Sequence, residues 1–181
     1  MANTRTIIKN GFVVGVGKQD IAITDGRISE RREHIEPTAD DRIINAEGLV
    51  VAPAFVDVHV HLREPGYGYK ERIATGTMAA ARGGYTTVCS MPNLNPVPDS
   101  VERLKAQQDI IDRDAKIEVL PYAAITIGRK GEELVDMASL VGKVCAFSDD
   151  GSGVQVDGMM ERAMTEAVKH DQLIAAHCEV E

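Results

Sequence analysis

Phe55-Val56-Asp57-Val58-His59-Val60-His61-Leu62-Arg63 alternates apolar and polar residues without a break. Val56, Val58, Val60 and Leu62 fall on one side of an extended strand, and Asp57, His59, His61 and Arg63 on the other. A strand with one face in water would show the same pattern with its polar side merely solvated. A strand buried on both faces is different, because an ionisable group taken out of water costs several kcal/mol unless it is paired or ligated. Two imidazoles two residues apart on one strand face then make a metal-binding pair. The surrounding sequence favours the buried alternative.

From residue 54 onward, short apolar segments alternate with helical ones at roughly 30 residues, the length of a βα unit. Strands are expected at 54–62, 85–91, 117–124, 144–148 and 173–178. Met160, Ala163, Met164, Ala167 and Val168 recur at helical spacing, with Asp157 placed to cap their helix. Val101, Leu104 and Ile111 mark another helix over 100–114, and Gly83-Gly84 ends one that begins near Lys70. Strands joined through helices run parallel, with right-handed crossovers. Four βα units and a fifth strand are present, whereas a closed (β/α)8 TIM barrel takes about 250 residues. The expected fold is therefore α/β, a barrel truncated after strand five.

The first 52 residues read as a separate β module, and 53–181 as the first part of the barrel domain. Asn10-Gly11 is a turn signal between 6–8 and 12–14, Asp25-Gly26 a hairpin signal, and 29–41 a polar loop. Residues 42–45 and 48–51 read as a strand pair around Glu47-Gly48.

Composition narrows the function classes. With 44% hydrophobic and 27% charged residues the chain is globular, not fibrous or disordered. A net charge of −8 without a basic cluster argues against nucleic acid or an anionic membrane as partner. The opening residues lead into a strand rather than a signal segment, and no apolar run approaches the roughly 18 residues of a membrane span. Cys89, Cys145 and Cys178 are odd in number and widely spaced, which favours reduced thiols in a cytoplasmic setting.

Active sites on barrels of this kind lie at the C-terminal strand ends. Strand two runs into Met91-Pro92-Asn93-Leu94-Asn95-Pro96, strand four into Phe147-Ser148-Asp149-Asp150-Gly151, and strand five into Ala176-His177-Cys178-Glu179. Each is weak alone, since Asp-Asp-Gly is usually a turn and a lone strand histidine usually a satisfied core residue. Together they place His59, His61, a carboxylate from Asp149 or Asp150, and His177 around one mouth. That nitrogen-and-oxygen donor set suits zinc.

The run from Asp57 to Gly66, followed by Lys70-Glu71, resembles the signature of the dihydroorotase family in the amidohydrolase superfamily. The stretch from Met91 to Asp99 resembles that family's second signature, and the FSDDG and AHCE segments and the N-terminal module fit in order. The resemblance implies an amidohydrolase-type barrel whose N-terminal module is part of a composite β-sandwich. It implies that His59 and His61 bind the more buried zinc, that Asp150 rather than Asp149 bridges to a second zinc, and that His177 ligates the second. One or two zinc ions per site are expected. His61, Arg63 and Asn93 would contact the substrate, Arg63 and Asn93 at its free carboxylate, which a planar guanidinium can grip bidentately. Lys143 lies at the wrong end of strand four to bridge metals as a carboxylated lysine.

The implied reaction is the interconversion of N-carbamoyl-L-aspartate and (S)-dihydroorotate in pyrimidine biosynthesis. Zinc would acidify a bound water and polarise the amide carbonyl, and a carboxylate would carry the proton to the leaving nitrogen. The resemblance puts a further histidine ligand and the catalytic aspartate beyond Glu181, so no catalytic acid/base is expected within this chain, which reads as a fragment exposing unpaired strand edges. A homo-oligomer is expected, with aspartate transcarbamoylase a candidate partner. Two alternatives stand beside this reading. One is an allantoinase- or hydantoinase-like cyclic amidohydrolase, against which Arg63 and Asn93 argue. The other is a non-catalytic scaffold for aspartate transcarbamoylase, against which His59 and His61 argue. Asp57 and Glu179 are candidates to orient ligand imidazoles. His34 and His170 are read as solvated, Cys89, Cys145 and Cys178 as core thiols, Tyr85 and Tyr122 as packing residues, and Lys70 and Glu71 as a surface pair opening a helix.

Overall fold

In the computed structural model, which describes residues 5–179, contacts divide the chain between Pro53 and Ala54. The first unit is a sheet of β1 (Thr6–Val13), β2 (Gly17–Thr24), β3 (Arg27–Arg32), β4 (Arg42–Asn45) and β5 (Val50–Val51). Its order is β3-β2-β1-β4, with β5 also on β1. Asp25 and Gly26 both take positive φ, 54° and 71°, and close the β2–β3 hairpin as their residue types favour.

Asn10-Gly11 is not a turn. β1 runs straight through it with a register shift between Ile8 and Gly11, and Asn10 sits at φ 63°, which makes the pair a bulge. The glycine is needed because a Cβ there would lie 2.5 Å from Val51 Cγ2. The chain reverses afterwards, around Gly15 at φ 76°. Nor do residues 42–45 and 48–51 pair with each other, since β4 and β5 each run parallel to β1. β3 extends to Arg32 and so takes up the start of the expected loop.

The bulge has a polar anchor. Buried Asp20 accepts hydrogen bonds from Asn10 N at 2.7 Å and Ile35 N at 3.0 Å, and its carboxylate lies 2.8 Å from Lys9 Nζ. Burial alone would push this carboxyl up, but Lys9 and the two amides outweigh it and hold it at about 2.

The second unit is a four-stranded parallel sheet in the order β6 (Phe55–Val60), β7 (Tyr85–Ser90), β8 (Glu118–Ala123), β9 (Ala146–Phe147). Its helices are α1 (Ile73–Arg82), α2 (Val101–Asp114), α3 (Met137–Leu140) and α4 (Met159–Lys169). Strand alternation sends Val88 and Val119 into a core with Leu62, Ile73 and Ile111, and Cys89 and Tyr122 into a second cluster with Met91 and Ala146. Tyr122 Oη donates to Val58 O at 3.1 Å, and burial pushes this phenol up to about 12, so it remains a donor. No helix among the described residues is long and apolar enough to cross a membrane.

Several details differ from the sequence expectations. α1 begins at Ile73, because Glu64 Oε2 accepts from Ile73 N at 2.8 Å and fixes the start there, leaving Lys70 and Glu71 outside. α4 follows Gly158 at φ 72°, and Asp157 does not cap it. Ala163 and Ala167 are buried, whereas Met164 and Val168 are 57% and 79% exposed. Residues 173–178 contribute one bridge, Ile174 to Phe147, since β9 is only two residues long and offers little ladder. Cys178 is exposed, and His170 is partly shielded against Glu166 at 3.2 Å. β6 is not buried on both faces, as Val56 and Val58 are 57% and 62% exposed.

Asp20→Asn should lower stability at pH 7 by about 2 kcal/mol, because it removes a charge that three donors surround. A folded-state carboxyl near 2 lies below its unfolded value of about 3.9, so its stabilisation is complete above the unfolded value and is lost as pH falls through 2. Urea unfolding of both proteins from pH 7 downward checks this: the gap should close in acid, and a variant as stable as the parent at pH 7 would refute the assignment.

Candidate metal centre

His59 and His61 stand at the C-terminal end of β6 and Asp150 in the loop after β9. One ligand atom from each lies within 4.8 Å of the other two. His59 Nε2 is 3.5 Å from Asp150 Oδ1, and His61 Nε2 is 3.7 Å from Oδ2. Bonds of roughly 2.0–2.1 Å in tetrahedral array put ligand atoms about 3.3 Å apart, close to these separations. His177 approaches the same carboxylate, its Nδ1 3.5 Å from Asp150 Oδ1, but stands outside the three-residue group. Glu179 Oε2 lies 2.9 Å from His177 Nε2, which leaves Nδ1 directed at Asp150.

Asn93, after β7, joins two of these residues. Its Oδ1 is 3.0 Å from His61 Nδ1, and its Nδ2 donates to Asp150 Oδ2 at 2.8 Å. A proton on Nδ1 shared with Asn93 leaves Nε2 with the free lone pair that a metal requires. Burial, the largest influence, pushes the His61 imidazole down, which favours the neutral form further. Asp57 does not orient either ring; its Oδ1 accepts from His59 backbone N at 3.1 Å. Lys143 Nζ is engaged with Ser139 O at 2.7 Å.

The two adjacent aspartates have different tasks. Asp149 is buried, and its carboxylate accepts from Ile125 N at 2.8 Å, Thr126 N at 3.2 Å and the Thr126 hydroxyl. Burial pushes its carboxyl up, against those bonds. Asp150 is the one that faces the imidazoles, and its own N–H donates to Ser148 Oγ at 3.1 Å. Thr126, at the end of β8, was not among the expected site residues. Its signal was available: strands one, two, four and five end in chemistry, and a threonine just after the third apolar run completes the set. Arg63 is half-buried at φ 60°, with no hydrogen bond or ion pair to its guanidinium among the described residues.

The family model described as dihydro-orotase-like matches residues 48–181. The chain belongs to that family. Among its dihydroorotase relatives, that of Staphylococcus aureus is 54% identical over 177 residues, covering 96% of this chain and 42% of the relative. The dihydroorotase of Listeria monocytogenes is 48% identical over 178 residues, with the same coverage of each. This dihydro-orotase-like chain thus spans less than half the length of the relatives it matches. In fold it is similar to the L-hydantoinase of Arthrobacter aurescens, with a TM-score of 0.78 at 22% identity over 93% of this chain and 39% of that one. A D-hydantoinase from Thermus sp. aligns with a TM-score of 0.76 at 24% identity, over 96% of this chain and 40% of that one. At such identities the likeness establishes the α/β fold.

Asp149→Asn places an amide N–H against donors and should cost about 1–3 kcal/mol. Asp150→Asn should cost little stability while removing a candidate metal ligand. Thermal melts of both variants, paired with zinc titration, check the division. Equal destabilisation by the two, or zinc binding lost only with Asp149, would reverse the roles.

Proposed function

We propose that this chain is the metal-binding part of a zinc-dependent dihydroorotase, a cyclic amidohydrolase that interconverts N-carbamoyl-L-aspartate and (S)-dihydroorotate. The observation that carries this reading is the convergence of three imidazoles, His59, His61 and His177, on the single carboxylate of Asp150. Sequence identity of 54% to dihydroorotases supports the substrate.

In this reading His59, His61 and Asp150 hold one zinc, and Asp150 and His177 share a second. Zinc bound there would supply Lewis acidity to the ring carbonyl and a water acidic enough to ionise near neutral pH. Asp150 is suited to bridging because imidazoles assigned to both metals approach its carboxylate, His59 and His177 at Oδ1 and His61 at Oδ2. Arg63 provides an unengaged guanidinium for the carboxylate that the ring retains. Asn93 commits its amide to His61 and Asp150, so it would orient two ligands as well as reach the substrate. In the direction of ring closure the ureido nitrogen bonds to the side-chain carboxyl carbon and water leaves; ring opening reverses both events.

Neither carboxylate of the Asp149-Asp150 pair is free to move a proton, since Asp149 is held by three donors and Asp150 faces the imidazoles. The acid–base carboxylate is assigned to the length of the relatives that this chain does not span. The same reading makes the second unit the first part of a (β/α)8 barrel and the N-terminal sheet part of a composite β-sandwich, supported by coverage of 42% of the relatives. A homo-oligomer, aspartate transcarbamoylase as partner and a cytoplasmic setting go with it on the family resemblance.

The test uses the full-length protein. It should contain one or two zinc ions per chain, open dihydroorotate, lose that activity to a chelator and regain it with zinc. Asp150→Asn should cut the rate by about 100-fold or more and lower the zinc content. Zinc-replete protein that opens hydantoin or allantoin but not dihydroorotate would overturn the substrate, and zinc-free protein without turnover would favour the scaffold.

A further inference from the structure

Five non-glycine residues adopt positive φ among those described: Asn10, Asp25, Asp171, Arg63 and Arg129. Asparagine and aspartate tolerate this region because their short side chains can bond locally, whereas arginine gains nothing from it. A strained backbone at a residue with no local reason for it points to function. Arg63 already belongs to the proposed substrate site. Arg129 closes the 3-10 turn Ile127–Arg129 after β8, where its neighbour Gly128 also has positive φ, 63°.

The Arg129 side chain is in an unusual state. Its Nε and Nη1 are buried and meet no hydrogen-bond acceptor among the described residues. No ion pair within 4.0 Å takes up its charge there either, although arginine stays protonated in proteins. Two acidic side chains around this turn are spent elsewhere. Asp149 is held by Ile125 and Thr126, and Asp99 by both contacts from Arg103 Nη1, at 2.9 and 2.8 Å, and by Gly128 N at 2.8 Å. The charged or titratable groups that act on the guanidinium are Asp149, Asp150, Tyr67 and Arg63, which places it at the same mouth as the metal ligands. A half-buried guanidinium with two buried nitrogens and no acceptor carries a desolvation cost that a ligand anion would relieve.

We propose that Arg129 is a second carboxylate-binding arginine of the substrate site, working with Arg63. The proposal rests on the dihydroorotase reading for the identity of the anion. N-carbamoyl-L-aspartate carries two carboxylates and dihydroorotate only one, so a second guanidinium favours the open-chain partner. Arg129 would then grip the side-chain carboxylate that ring closure consumes, and so set the relative affinity for the open and closed forms at the reacting end of the substrate.

In the full-length protein, Arg129→Gln should raise KM for N-carbamoyl-L-aspartate about ten- to hundredfold, with a smaller rise for dihydroorotate. Arg129→Lys should recover part of the loss, since it restores the charge without the planar fork. Inhibition by dihydrouracil, which lacks the carboxylate, should not change. The melting midpoint of Arg129→Gln should hold or rise, because an unpaired buried charge has gone. An unchanged KM with a lowered melting midpoint would overturn the proposal and make Arg129 a structural ion-pair partner. Succinate, a dicarboxylate probe needing no turnover, separates this from failure of the functional reading. If succinate raises the melting midpoint of the parent but not of Arg129→Gln, the anion site stands whichever ring is the substrate. If it raises both alike, the site does not exist.

Discussion

The carboxylate of Asp149 ties the end of β8 to the end of β9 by accepting from two backbone amides and a hydroxyl of the neighbouring strand end. Such a group cannot be left unpaired in the interior, so it holds the two loops in one relative position. Asp150, the next residue, inherits that position and meets imidazoles delivered by β6 and by the segment after β9. The turn with Arg129 hangs on the same latch, because Thr126 Oγ1, itself bonded to Asp149, accepts from Gly131 N at 2.9 Å. The carboxylate that faces the imidazoles and the turn that carries Arg129 therefore share one buried anchor.

The parallel sheet and the two histidines at the end of β6 were legible because a period of two is written directly into 55–63 and βα spacing repeats after it. The helix over 100–114 was legible for the same kind of reason, and Ser100 caps it by accepting from Arg103 N. Other features were not local. Asn10-Gly11 carries the turn chemistry of a hairpin, but the close approach of Val51 and the pull of Asp20 turn it into a bulge. Met164 and Val168 keep helical spacing yet lie at the edge of the face that Ala163 and Ala167 bury. Which of two adjacent aspartates faces the ligands depended on Thr126, 23 residues upstream, a partner that no motif reports.

Asn93 shows how sequence identity and fold likeness separate. The α/β fold is shared with hydantoinases at 22% identity, so the sheet alone does not select a substrate. What the sheet leaves open falls to side chains on the loops, and there a single amide spans His61 and Asp150, coupling the orientation of an imidazole to that of a carboxylate. A change at one strand end is thereby felt at two others.

The hydrogen bond from Tyr122 Oη to Val58 O joins β8 to β6 across the intervening β7. Next-but-one strands in a flat sheet lie about 9.6 Å apart, with their carbonyls in the plane of the sheet, too far for a tyrosine standing perpendicular to that plane. The bond forms because the sheet curls toward this side, and Val58 sits where the β6–β7 register shifts. One phenol thus acts as a chord across an arc of three strands.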